Sequence, residues 1–277
     1  MLSRRCFVWI CCLLSALLLG CIELASPPPA PDFPTVPASQ FLTMGIEPNL
    51  ASLQSIIQDR SDLTENLAVI INGSPSDLIN QVRSGELDAA FVYQKPADSN
   101  LWTLPVALDS VSILAHPDVN VQGVTRPELQ QIFSGSVSTW QSFTGQDQAI
   151  SVFVLDSDSG INHLFNARVM ENRPFGVSAV IVPNSDAMIS AVDQTPASIG
   201  FLPASLLNDS TNLAQLPIDG VFPQFNTVRN QTYPLTIPVY LVAAQEPQGE
   251  LRALAAWLQS AEGQQALSVN FVQLGTN

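Results

Sequence analysis

Strand and helix patterns alternate along this chain from about residue 40 to its end, and that alternation confines it to a small set of folds. LAVII (67–71) is a short run of branched and apolar residues, which reads as a buried strand. Asn72-Gly73-Ser74-Pro75 turns the chain, Leu78, Ile79 and Val82 recur at helical spacing, and Ser84-Gly85 stops the helix. LDAAFVY (87–93) is then strand again. Strand, turn, helix, strand is the signature of a parallel sheet with crossover helices. Further strands are expected at QFLTM (40–44), VSILAHP (111–117), ISVFVL (150–155), AVIV (179–182), SIGFL (198–202) and YLVAA (240–244). Between them, helices are marked by Leu50, Leu53, Ile56 and Ile57, by residues 160–170, by Met188, Ile189 and Val192, and by the closing stripe Leu251, Leu254, Ala255 and Leu258. Thr125-Arg126-Pro127-Glu128 opens one more as a capping box, with Leu129, Ile132 and Phe133 on its apolar face and Ser134-Gly135 as its stop. The fold class is α/β, with no internal repeat.

The first forty residues have a different character. Arg4 and Arg5 precede an apolar run from Cys6 to Leu19. At roughly 14 residues the run is shorter than the roughly 20 a spanning helix needs, and it reads as a signal peptide. It ends in Leu18-Leu19-Gly20-Cys21, which resembles the lipobox of bacterial lipoproteins. That resemblance implies lipidation of the Cys21 thiol and cleavage after Gly20, so residues 1–20 are the signal and 21–38 a tether. Pro27, Pro28, Pro29, Pro31, Pro34 and Pro37 hold the tether extended, as a semi-rigid spacer between a membrane and a domain over 39–277.

Composition excludes several functions. The 24 acidic side chains outweigh ten basic ones, of which Lys95 is the lone lysine, and the net charge is -14. A nucleic-acid partner requires clustered Lys and Arg, and the chain has no such cluster. All four cysteines (Cys6, Cys11, Cys12, Cys21) lie in the first 21 residues, so the domain holds neither a disulfide nor a thiolate metal site. His116 and His163 are far apart, and Asp156-x-Asp158 lacks the glycine and glutamate spacing of a calcium loop. No metal and no cofactor are expected.

Five stretches, in order, carry a family likeness: ILAHPDVNVQGVTRPELQQIFSGSVSTWQSF (113–143), DSDSGINHLF (156–165), TPASIGFLPASLL (195–207), YPLTIPVYLV (233–242) and LAAWLQSAEGQQAL (254–267). Together they resemble the phosphate-binding subfamily of type II periplasmic binding proteins. The resemblance implies two lobes, each a mixed sheet flanked by helices, with a ligand cleft between them. Lobe one would take about 39–111 and 233–277 and lobe two about 112–232, with crossings near 108–114 and 220–236. It also implies a small anion or polar solute as ligand, an ABC permease as partner, an extracytoplasmic, lipid-anchored location and a monomer.

Residue by residue, the family's Ser-Gly of the phosphate loop falls on Ser159 and Gly160, and a lobe-one loop falls on Gly73 and Ser74. These four are the candidate ligand-binding residues. Leu155 and Ile161 stand where the family has Arg and Thr, Gly45-Ile46-Glu47-Pro48-Asn49 replaces a Gly-Ser-Thr loop, and Tyr93 replaces an acceptor Asp. The loss of a guanidinium and a hydroxyl weakens phosphate binding by about 2–4 kcal/mol, to a Kd of roughly 100 μM or worse. Asp158 is expected to hold the N–H groups at the start of the 160–170 helix itself. Local readings of the same residues stay open: Ser159 or Asp158 as N-cap of that helix, and Ser74 as N-cap of 75–83. Trp140 and Trp257 read as core.

The expected function is solute binding by a lipoprotein. The alternative is a tethered sensing or interaction domain that kept the fold and lost tight phosphate binding. Enzymatic activity is not expected, since there is no G-x-S-x-G elbow and no histidine placed by sequence as a base. Anchoring is tested by fractionating cells that carry Cys21→Ala. The variant should leave the membrane fraction, and retention equal to wild type contradicts the lipobox reading.

Overall fold

The computed structural model describes residues 42–60, 67–97, 100–207 and 212–274; the signal, Cys21 and the tether lie outside them. In chain order the strands are β1 (Leu42–Ile46), β2 (Leu67–Asn72), β3 (Ala89–Val92), β4 (Trp102–Ala115), β5 (Ser151–Leu155), β6 (Val180–Val182), β7 (Ser198–Pro203), β8 (Ala214–Leu216) and β9 (Thr236–Ala243). The α-helices are α1 (Ala51–Gln58), α2 (Pro75–Ser84), α3 (Arg126–Phe133), α4 (Gln141–Thr144), α5 (Gly160–Phe165), α6 (Ser185–Gln194), α7 (Phe225–Arg229), α8 (Gly249–Gln259) and α9 (Ala261–Leu267). A π-helical turn, Asn166–Met170, prolongs α5.

The strands run β2-β1-β3-β9-β4-β7-β5-β6, with β8 also paired to β4. This is a mixed sheet flanked by helices, and β4 is the strand its two halves share. Its first part pairs antiparallel with β9 from Trp102 to Ser110. Its last part, Val111–Ala115, pairs antiparallel with β7, and Ile113–Ala115 also with β8. One strand therefore belongs to two sheet halves. The first half holds the parallel set β2-β1-β3, and the second the parallel set β7-β5-β6.

Most expected elements form, with differences that have physical causes. The capping box is complete: Thr125 Oγ1 accepts from the Glu128 N–H, and the Glu128 carboxylate accepts from the Thr125 N–H at 2.7 Å. The strand expected over 111–117 is only the end of β4, whose part from Trp102 to Ser110 carries Pro105 and the polar pair Asp109-Ser110. A register shift between Pro105 and Ala107 accommodates the proline, which donates no N–H to the ladder.

The glycine of the expected SIGFL strand has a packing reason. A Cβ on Gly200 would come within 2.4 Å of Met188 Sδ and 3.1 Å of Val192, so the glycine lets α6 lie close on β7. Beneath α3 and α5 the second half is filled by Phe133, Phe165, Phe175 and Phe201. The rings of Phe165 and Phe201 stack at 4.0 Å with only 3° between their planes. Trp140 is buried and donates its Nε1–H to the Ala197 carbonyl at 2.9 Å, so it is core, as is Trp257. Leu155 and Ile161, the positions of the expected Arg and Thr, are buried in the same core.

Phe165→Ala removes the ring at the centre of that stack. It should cost about 3–5 kcal/mol of unfolding free energy in urea titrations. A loss under about 1 kcal/mol would contradict this account of the core.

Candidate functional site

The parallel strands of each half end at one place. In the first half, the register Ile46↔Asn72 and Ile46↔Phe91 aligns the carboxyl ends of β1, β2 and β3. The residues that leave those ends are Glu47, Gly73 and Tyr93. In the second half, β5 leads through Asp156–Ser159 into α5, and β6 leads through Pro183-Asn184 into α6. Ligands in open α/β sheets are held outside the carboxyl ends of parallel strands, where loops present N–H groups and hydroxyls.

Groups from the two halves meet here through Glu47 and Asn49. Glu47 is wholly buried. Its Oε1 accepts from the Gly160 N–H at 2.9 Å, and its Oε2 accepts from the Tyr93 N–H at 3.1 Å. The carboxylate lies so close to the Gly160 backbone that a Cβ at 160 would sit 2.5 Å from Oε1 and 2.8 Å from Oε2. Asn49, also buried, donates from Nδ2 to Ser159 Oγ at 2.9 Å and accepts at Oδ1 from Ser185 Oγ at 2.8 Å. Behind them the Tyr93 hydroxyl donates to buried Asp109 at 2.7 Å and lies 3.2 Å from the Asn49 carbonyl. Asp109 also accepts from the N–H groups of Ser110 and Ser205.

The electrostatics follow from burial. Desolvation pushes Glu47 up from the ordinary 4.5 to about 7, and the N–H groups of Tyr93 and Gly160 offset only part of it. Burial raises Asp109 as well, against its hydrogen bonds from Ser205 and Tyr93. Tyr93 is raised well above its usual value, first by burial and then by the charge of Asp109, so it remains a protonated donor.

Of the four expected site residues, Ser159 and Gly160 are in this cluster. Ser74 is engaged locally: it caps α2, accepting from the Asp77 N–H at 3.2 Å and donating to the Asp77 carboxylate at 2.8 Å. Gly73 flanks it at the end of β2, beside a polar groove that also includes Asn72, Asp77 and Asn80. Asp158 does not hold the start of α5. Its own N–H donates to Asp156 Oδ1, and the first N–H of α5 goes to Glu47 instead. Ser159 is the N-cap by position, but its side chain makes no capping bond and faces Asn49. Glu47, Asn49 and Ser185 were not among the expected site residues. The signal for Glu47 and Asn49 is the Glu-Pro-Asn that interrupts the chain directly after an apolar strand, where a hydroxyl loop is expected.

Fold and site together define a two-lobed α/β protein with its polar cluster between sheet halves. The chain belongs to the PBP superfamily, whose domain matches residues 51–262. It is 25% identical over 162 residues to the phosphate-binding protein PstS of Bacillus subtilis, covering 58% of this chain and 53% of that one. To the PstS of Borreliella burgdorferi it is 23% identical over 177 residues, covering 60% and 61%. The chain thus spans between half and two thirds of these curated relatives. Among solved structures it is similar to a putative phosphate ABC transporter substrate-binding protein with bound phosphate from Clostridium perfringens. That likeness has a TM-score of 0.76 at 18% identity and covers 84% of this chain and 99% of the other.

The burial of Glu47 sets a pH dependence. The folded protein holds this proton more tightly than the unfolded chain, so the contribution of Glu47 to stability is full below pH 4.5. It is lost as pH rises to about 7. The loss amounts to roughly 3 kcal/mol. Urea denaturation of wild type and Glu47→Gln across pH 4.5–8 should show a stability difference that shifts by this order toward the variant as pH rises. Parallel profiles would contradict it.

Proposed function

We propose that this chain is an extracytoplasmic solute-binding lipoprotein of the phosphate-binding type, held to a membrane through Cys21 and delivering a small anion or polar solute to an ABC permease. The observation that carries this reading is the convergence of Ser159, Gly160, Asn49 and Ser185 from both sheet halves at the carboxyl ends of the parallel strands. The relatives named as phosphate-binding proteins support it. Cys21, the proline spacer and a membrane-side partner are parts of one arrangement: a tether keeps the domain within reach of a permease while its cleft opens and closes. Gly73 and Ser74, at the end of β2, belong to the proposed ligand-binding set with Ser159 and Gly160. No helix among the described residues is long and apolar enough to cross a membrane.

Phosphate is a poor candidate for a tight ligand. The positions that would supply a guanidinium and a hydroxyl are the buried core residues Leu155 and Ile161. A second reading, a tethered sensing or interaction domain, is favoured by one observation: the polar groups of the cleft already bond one another.

A thermal-shift screen of inorganic anions and small polar metabolites on the full chain separates the two. A solute at a hundred times its Kd should stabilise the fold by about 2.7 kcal/mol, an upward Tm shift of a few degrees. Phosphate should bind with a Kd of roughly 100 μM or weaker. A screen in which nothing shifts the melt would favour the sensing domain, and submicromolar phosphate would restore an ordinary phosphate carrier.

A further inference from the structure

We propose that Glu47 is a built-in ligand: its carboxylate occupies the oxyanion position of the cleft, so that Glu47 and an external tetrahedral oxyanion are mutually exclusive occupants. The inference rests on reading the cleft as a solute site.

Three observations carry it. First, the carboxylate is the anion that this set of donors holds. One oxygen takes the N–H of Gly160 from the second sheet half and the other takes the N–H of Tyr93 from the first, with the side chain wholly buried. A carboxylate and a phosphate both present oxygens that accept from converging N–H groups, so the donors that satisfy one suit the other.

Second, the packing is shaped around it. Only a residue without a Cβ fits at 160, because the Glu47 oxygens stand where that atom would be. The same missing side chain would let an oxyanion approach the Gly160 N–H.

Third, the flanking donors are spoken for by the same loop. Asn49, two residues after Glu47, engages Ser159 Oγ and receives Ser185 Oγ. The segment Glu47-Pro48-Asn49 therefore fills with carboxylate and amide the position from which hydroxyls of both halves would hold a solute. It also ties the halves together directly. An incoming anion must break both bonds of Glu47 and move its charge.

Calorimetric titration of inorganic phosphate into the full chain, purified in detergent at pH 8, tests this. Glu47→Ala removes both charge and bulk and should tighten phosphate binding by about a hundredfold over wild type. Glu47→Gln keeps the bulk and should tighten it by about tenfold. Asp186→Ala, which removes an exposed carboxylate beside Ser185, controls for net charge and should leave the affinity unchanged.

The proposal is overturned if Glu47→Ala melts cooperatively and binds phosphate no more tightly than wild type, or if Asp186→Ala gains as much. Where Glu47→Ala does not fold, Glu47→Gln decides by the same comparison, and no gain overturns the proposal. If wild type binds a solute in the thermal-shift screen while neither variant gains phosphate, the occupancy claim falls and solute binding stands. If wild type and both variants bind nothing, both readings fall.

Discussion

A carboxylate cannot be taken out of water without donors that replace the water, and the arrangement of this molecule's interior follows from where those donors stand. Desolvating an ion costs several kcal/mol, while a hydrogen bond to a charged group returns about 1.5–3 kcal/mol. The two N–H groups on Glu47 therefore come close to balancing its burial without overcoming it, which is the sense of the upward displacement of its pKa. Those N–H groups belong to Tyr93 and Gly160, from opposite halves of the sheet, so the bond pair joins the halves. Tyr93 is itself fixed by Asp109, on the strand that runs through both halves. The polar cluster and the strand shared by both halves are thus linked by a continuous set of buried hydrogen bonds.

This arrangement reconciles a family membership with a chain that departs from the family's pattern. Both parallel sets of the sheet form, and Ser159 and Gly160 open α5. The departures at Leu155 and Ile161 are absorbed by the core, where apolar side chains pack under α5. The departure at Glu47 has a different consequence, because that side chain points back into the position the loop would otherwise leave for a solute. One sequence change removes donors from the cleft and the other supplies an acceptor to it.

Much of the fold was legible because its signals are local. The Thr125–Glu128 box, the Ser74 cap and the apolar spacing of α6 and α8 depend on neighbours a few residues away. What was not legible needed long-range knowledge. The part of β4 from Trp102 to Ser110 carries Pro105, Asp109 and Ser110, and it is strand only because β9 lies beside it and a bulge absorbs Pro105. In the site, Ser159 and Gly160 were readable as a loop before a helix, but their partners, Asn49 and Glu47, are 110 and 113 residues away. Asp158, adjacent in sequence, was the natural candidate for the N–H groups of α5, and the tertiary fold brings Glu47 there instead. Ser74 was readable both as a cap and as a cleft residue, and its hydrogen bonds are those of a cap.

The central claim, that the Glu47 carboxylate sits on the Gly160 and Tyr93 amides, is tested most directly by NMR of those two amide protons as a function of pH. They should shift together, through one transition with a midpoint near the displaced value of about 7, and the transition should vanish in Glu47→Gln. If the two amides titrate separately or stay flat, the carboxylate is not held there and the account fails.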